Sequence, residues 1–353
     1  MKNSLVILVA LIHLCLLTTF TGCTKSTASQ DPIVPTDNSM PVFAKGADVG
    51  WLTEMEAAGV KFYSTAGVQQ ECLALLKSKG INSIRLRAWV NPKEGWNNTK
   101  DVVVKAKRAK ELGMRLMLDF HYSDDWADPG KQPKPKAWET LTFDKMKIAL
   151  FDYTKGVMDT LKLNGITPAW VQIGNENNDG MLWEEGRASK SMANFAGFVK
   201  SGYDAVKLVS PNSLVIVHLS NGYDNALFRW MFDGLKANGV SWDIIGMSLY
   251  PAYAPEGNAG WKAVNDRCVV NMNDMISRYG TPVMIVEVGM PANQPVASKA
   301  FLSDIIAKTK AIANGKGQGV FYWEPQSYNW KGYELGAFDN SGKPTEAMDA
   351  FLE

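Results

Sequence analysis

Histidine and cysteine are scarce: the 353-residue chain carries three of the first and four of the second. His13 and Cys15 fall in an apolar leader and Cys23 at its end, leaving His121, His218, Cys72 and Cys268 for the body. No CxxC pair or His cluster with metal-ligand spacing occurs, which excludes a sequence-local zinc site. Cys72 shares a helical apolar stripe with Val68, Leu75 and Leu76 and reads as a small apolar residue; pairing with Cys268 stays open. Charge of one sign is lacking too. Lys and Arg total 37 against 36 Asp and Glu, a formal charge of +1, so no nucleic-acid or polyanion partner is expected. The one dense basic run, Lys105, Lys107, Arg108 and Lys110, lies opposite Val103, Ala106 and Leu112 and reads as a solvated helix face.

Long apolar runs are missing with one exception, residues 5–17. It follows a single Lys and is too short to span a bilayer, which takes about 20 residues. Residues 1–22 therefore read as an export signal. The tetrapeptide FTGC at 20–23 resembles a bacterial lipobox, with Phe20 where Leu is usual, and predicts lipidation of Cys23 and a membrane anchor. Residues 23–41, rich in Ser, Thr, Asp and Pro, predict a flexible tether. Residues 42–353 show no second linker and suit one barrel-sized domain, expected to act as a monomer.

Within that domain short strand-like runs alternate with helical patterns. The runs are 46–51, 83–89, 115–121, 169–175, 214–220, 243–250, 283–288 and 319–323. Helical patterns include 65–79 before Gly80 and 101–112 before Gly113, and a stripe of Met192, Phe195, Phe198, Val199 and Tyr203 marks another. Strands alternating with helices imply a parallel sheet, and eight of them close a (β/α)8 TIM barrel. A doubly wound open sheet is the alternative. No Gly-rich nucleotide loop follows the first strand to support it, and no cofactor is expected.

Chemistry collects where strands end. Reading only those carboxyl ends gives Asp48 and Trp51; Arg87 and Trp89; Asp119, His121 and Tyr122; Asn175 and Glu176; His218 and Asn221; Tyr250; Glu287; and Trp323 with Glu324. Taken alone, Asp48 or His218 is a satisfied core polar group; the joint pattern is hard to obtain from packing, because each buried polar group needs a partner. In PVMIVEVG, 282–289, four apolar residues lead straight into Glu287. An unpaired buried carboxylate costs several kcal/mol, so a cation must hold it, and Arg87 from the second strand is available. The fourth strand stops at GNENNDG, placing Glu176 opposite Glu287 across a barrel mouth. Two carboxylates flanking a cleft, without metal or nucleotide loop, point to glycoside hydrolysis by a protonated acid and an ionised partner. Facing strands favour the short separation of a retaining enzyme. Among twelve Trp, those in strand-end loops include 51, 89, 126, 138, 183, 323 and 330, and Trp126 and Trp330 sit in polar loops suited to stacking a sugar ring.

DFHYSDDWADPGKQ at 119–132, GNE at 174–176, VEVG at 286–289, YWEP at 322–325, GADV at 46–49 and IRLRAWVNP at 84–92 together resemble the endo-β-1,4-galactanases of glycoside hydrolase family 53. The resemblance covers nearly all of the chain after the tether. It implies a retaining endo-glycosidase acting on β-1,4-galactan or type I arabinogalactan, with Glu176 as acid/base and Glu287 as nucleophile. It also implies sugar contacts from Asp48, Arg87, Trp89, His121, Trp126, Asn175, Asn221, Tyr250, Trp323 and Trp330. Some bacterial relatives carry an Asp-rich calcium loop after strand seven; GMPANQPV at 289–296 has no such run, so no metal is expected. The alternatives are a mannanase or xylanase of the same clan, or a non-catalytic glycan-binding lipoprotein.

Overall fold

The computed structural model describes residues 42–353. The expected signal, tether and Cys23 lipid site lie outside the described residues. Eight parallel strands close into a barrel: β1 (Ala44–Asp48), β2 (Ser83–Ala88), β3 (Arg115–Phe120), β4 (Trp170–Ile173), β5 (Leu214–Leu219), β6 (Ile244–Leu249), β7 (Val283–Val288) and β8 (Gly317–Trp323). Each strand pairs with its sequence neighbour, and β1 pairs with β8 from Ala44 opposite Gly319 to Asp48 opposite Trp323. The helices are α1 (Leu52–Ala57), α2 (Cys72–Ser78), α3 (Thr99–Glu111), α4 (Phe143–Leu163), α5 (Met192–Val209), α6 (Asn225–Ala237), α7 (Trp261–Tyr279) and α8 (Pro295–Lys310). Their apolar faces cover the barrel; on α5 these are Phe195, Phe198 and Val199.

The barrel interior has two chemically distinct levels. Near the amino ends of the strands Ala44, Met117, Trp170, Ile216, Ile244, Met284, Val286 and Phe321 form a buried apolar plug. Trp170 and Phe321 meet edge to face at 6.1 Å. Gly46 makes room for this, since a Cβ there would stand 2.0 Å from the Phe321 ring. One level up, the inward residues turn polar: Asp48, Arg85, Asp119, Gln172, His218, Ser248 and Glu287, all buried. The plug keeps water out from below, so this polar level opens only at the strands' carboxyl ends.

Two readings of the helical regions change. The pattern at 65–79 is shorter as a helix, because Phe62–Tyr63 and Gln69–Gln70 pair as an antiparallel hairpin first. Glu71 then caps α2 by accepting from the Ala74 N–H at 2.6 Å, and Val68 is exposed rather than part of the stripe. Lys105 does not belong to a solvated face. It is fully buried, with Nζ donating to Asp101 at 2.7 Å, to the Gly50 carbonyl at 2.7 Å and to Asn97 at 2.9 Å. Cys72 and Cys268 are buried and free, and burial pushes both thiols up.

Candidate active site

A cleft of about 460 Å³ opens over the polar level. Glu176 and Glu287 line it together with Trp51, His121, Trp126, Asn175, Tyr250 and Trp323. A larger hollow of about 620 Å³ lies among the loops after β7 and β8, floored by Tyr328 and Phe338, and holds neither Glu176 nor Glu287.

Arg85 organises the floor. Its Nη1 donates to Asp48 at 2.8 Å and its Nε to Gln172 at 2.6 Å. Nη2 reaches Asp119 and Asn175, each at 2.9 Å, and Glu287 at 2.8 Å. Glu287 thus has the cation its burial demands, but Arg85 supplies it, not Arg87 as expected. Tyr250 adds a hydroxyl donated to the other Glu287 oxygen at 3.1 Å.

Glu176 is held differently. It sits in the left-handed backbone region at φ 46°, as do Tyr122, Asn221 and Glu324 just past other strand ends. A glutamate accepts that conformation only where the surroundings hold it. Its Oε1 accepts from Ser248 Oγ at 2.7 Å. Asn175 beside it is locked: Nδ2 donates to the Ala127 carbonyl at 2.8 Å while its own carbonyl accepts from Gln132 at 2.8 Å. The loop of the 119–132 motif is tied to the end of β4 in this way.

Burial raises both carboxyls, Glu176 to about 7 and Glu287 well above the usual carboxylate range, and the Glu176 charge pushes Glu287 further in the same direction. Arg85 opposes this at both and lies in direct contact with Glu287 alone. The contacts divide the roles: Arg85 and the Tyr250 hydroxyl favour the charge on Glu287, while Glu176, with one serine hydroxyl, is the better place for a proton.

Indoles wall the cleft. Trp51 packs edge-on against Trp323 at 5.0 Å and Trp126 at 5.8 Å, and Trp323 against Tyr333 at 4.6 Å. His121 turns Nε2 to Asp119 at 3.1 Å, while Nδ1 accepts from Trp89 Nε1 and the Ala127 N–H, both at 3.2 Å.

Several expected sugar contacts stand elsewhere. Asp48 is fully buried on Arg85 and never reaches the cleft. Arg87 lies beneath the wall, its guanidinium 4.5 Å from the Trp126 ring centroid, and pairs with Glu324 at 2.5 Å. Trp89 is buried behind Trp126 at 5.1 Å. Asn221 accepts from the Tyr223 hydroxyl at 3.1 Å, outside the lining, and Trp330, also outside it, is half-buried against the core. Arg85, Gln172 and Ser248 belong to the site without standing at a strand's carboxyl end, although Gln172 in WVQI and Ser248 in IIGMSL are polar residues inside apolar strands. Tyr253, Lys331 and Tyr333 reach the cleft from loops that carry no local signal.

The chain is 38% identical to an uncharacterized protein of Niallia circulans, covering 80% of this chain and 83% of that one. It is 35% identical to a probable arabinogalactan endo-β-1,4-galactanase A of Neosartorya fischeri, with coverage of 80% and 83%. A solved fungal β-1,4-galactanase superposes with a TM-score of 0.81 at 28% identity, over 87% of this chain and 98% of that one. Residues 44–351 match the model of glycosyl hydrolase family 53, and the chain belongs to that family.

Proposed function

We propose that the protein hydrolyses internal β-1,4-galactosidic bonds of galactan or type I arabinogalactan with retention, releasing galacto-oligosaccharides. Glu287 attacks the anomeric carbon, and Glu176 protonates the departing oxygen and then deprotonates water. The observation that carries this reading is the unequal support of the two carboxyls in one cleft. Glu287 has Arg85 on one oxygen and Tyr250 on the other, which favour an ionised nucleophile. Glu176 has burial and one serine hydroxyl, which leave a proton to give. The indole wall offers flat faces for pyranose C–H surfaces, and the names of the galactanase relatives supply the sugar. Proton NMR during galactan hydrolysis tests it: the β anomer of the new reducing end is expected first. An α anomer first removes Glu287 as nucleophile, and turnover of mannan or xylan in place of galactan removes the substrate.

The same proposal places the domain outside the cytoplasm on a lipid anchor at Cys23, supported by the apolar run at 5–17 and the FTGC tetrapeptide. Cys23→Ala is expected to shift the protein from membrane to soluble fractions without changing turnover. An unchanged distribution removes the anchor.

A further inference from the structure

Glu176 closes a circuit of hydrogen bonds that begins on its own backbone. Its left-handed turn presents the Glu176 N–H to His218 Nδ1 at 3.3 Å. His218 Nε2 lies 2.8 Å from Ser248 Oγ, and Ser248 Oγ lies 2.7 Å from Glu176 Oε1. A neutral imidazole has one N–H, so accepting at Nδ1 puts the hydrogen on Nε2. Burial and the nearby Arg85 both disfavour a second proton on His218. Nε2–H then donates to Ser248, whose hydroxyl hydrogen is left for Oε1. The carbonyl oxygen of a carboxyl is the better acceptor, so the oxygen that receives this donor is the poorer place for the acid proton. Among the described residues Oε2 takes no side-chain partner, while Oε1 takes Ser248.

The opposite tautomer would reverse the circuit. His218 Nδ1–H would donate to Asn175 Oδ1 at 3.1 Å, the serine would donate to Nε2, and a proton on Oε1 would point at Ser248, away from a substrate. Asn175 Oδ1 already accepts from Arg85 at 2.9 Å, and the reversal would leave the Glu176 N–H facing another N–H. The first arrangement pairs the buried backbone N–H and leaves free only the acid proton, which faces the cleft where a substrate can accept it.

We infer that His218 and Ser248 are positioning residues that act through Glu176, holding its acid proton on Oε2, the oxygen left to meet the glycosidic bond. The inference rests on the reading of Glu176 as acid/base. During bond cleavage the proton moves from Oε2 to the leaving oxygen, and the resulting carboxylate keeps the Ser248 hydrogen bond.

Ser248→Ala and Ser248→Thr in the full chain test it, with galactan and a dinitrophenyl β-galacto-oligosaccharide as substrates. The second leaves without an acid, so its burst reports on Glu287 alone. Ser248→Ala is expected to lower kcat on galactan about 10- to 100-fold, part of what a general acid supplies, with KM nearly unchanged. The dinitrophenolate burst should stay within about threefold, since the first step there needs no acid. Loss of a donor to the carboxylate should also move the alkaline limb of kcat/KM upward. Charged and titratable groups facing Glu176 from other elements are unchanged in this variant: Arg85, Asp119, His121, Asp128, His218, Tyr250, Tyr253 and Glu287. Ser248→Thr keeps the hydroxyl and should recover most of the loss. Equal losses on both substrates, an unmoved limb, or threonine as poor as alanine overturns the inference. If Ser248→Ala fails to fold, His218→Gln, which keeps an N–H near the Nε2 position, should outperform His218→Asn; equal activity of the two overturns it as well. Glu176→Ala separates the two readings. If it keeps full galactan turnover, the acid/base assignment falls and the inference with it; if it is inactive on galactan while Ser248→Ala is normal, only the inference falls.

Discussion

Arg85 and Arg87 stand two residues apart on β2, with side chains on the same face, yet they do opposite work. Arg85 spends its donors on Asp48, Gln172, Asp119 and Asn175 and also pairs with Glu287, so it is the node of the catalytic floor. Arg87 pairs with Glu324 while its Nε and Nη2 find no hydrogen-bond partner. What those nitrogens meet instead is aromatic: the guanidinium lies 5.3, 5.4 and 4.5 Å from the ring centroids of Trp51, Trp89 and Trp126. A guanidinium takes carboxylates at its edges and rings on its face; Arg85 uses its edges throughout, whereas Arg87 gives one edge to Glu324 and the rest to indoles. One cation sets charge at the reacting carboxylate; the other props the wall against which a sugar would stack.

The comparison breaks first at Arg85. Arg85→Met strips the cation from Glu287, Asp48 and Asp119 at once, and losing one partner of a buried pair costs about 3–5 kcal/mol. Steady-state kinetics and thermal melts should show kcat down by about a thousandfold or more, of the order expected when positioned electrostatic stabilisation is lost, with a lowered Tm. A kcat within tenfold of wild type would mean that Tyr250 alone suffices to hold Glu287 ionised.

Arg87→Met should be milder and of a different kind. It leaves the Arg85 and Tyr250 contacts of Glu287 in place, lowers Tm by stripping buried Glu324 of its cation, and loosens the indoles, so KM for galactan should rise about three- to tenfold, as for a cation–π contribution of about 0.5–2 kcal/mol, with kcat less affected. A fall in kcat matching that of Arg85→Met would erase the distinction between floor and wall.

The smallest effect concerns proton affinity. Glu176 and Glu324 are both raised to about 7, chiefly by burial. A folded pKa above the unfolded value means stability is full below about 4.5 and is lost as pH rises towards 7. Glu176→Gln removes one such group. It should raise Tm by roughly 2–4 °C at pH 8, on the order of 1 kcal/mol, and change little at pH 5, where Glu176 is already protonated. Equal gains at both pH values would show that the effect is packing and not charge.

Much of this was legible locally. The run PVMIVEVG announces a buried charge in a strand, because an apolar segment ending in Glu has no other economical reading. GNENNDG announces a strand end by its turn residues. The choice between Arg85 and Arg87 was not legible, since both share the parity of β2 and face inward. Arg85 stands opposite Asp48 on β1, while Arg87 stands opposite Asp119 on β3, and only the stagger of the closed barrel decides which reaches across to β7. The burial of Lys105 is hidden for a similar reason. Its helical face looked solvated until the Gly50 carbonyl and Asn97 closed over it.

By itself the sequence determined the alternation of strands and helices, the barrel that follows from eight of them, and the two strand ends bearing Glu176 and Glu287. Those depend on periodicity and turn chemistry, which act over a few residues. Tertiary structure alone decided that Arg85 serves Glu287, that Arg87 and Glu324 brace the indoles, and that Ser248 and His218 close on Glu176. Each of these joins strands far apart in the chain at distances near 3 Å, where barrel stagger and left-handed strand ends set the geometry.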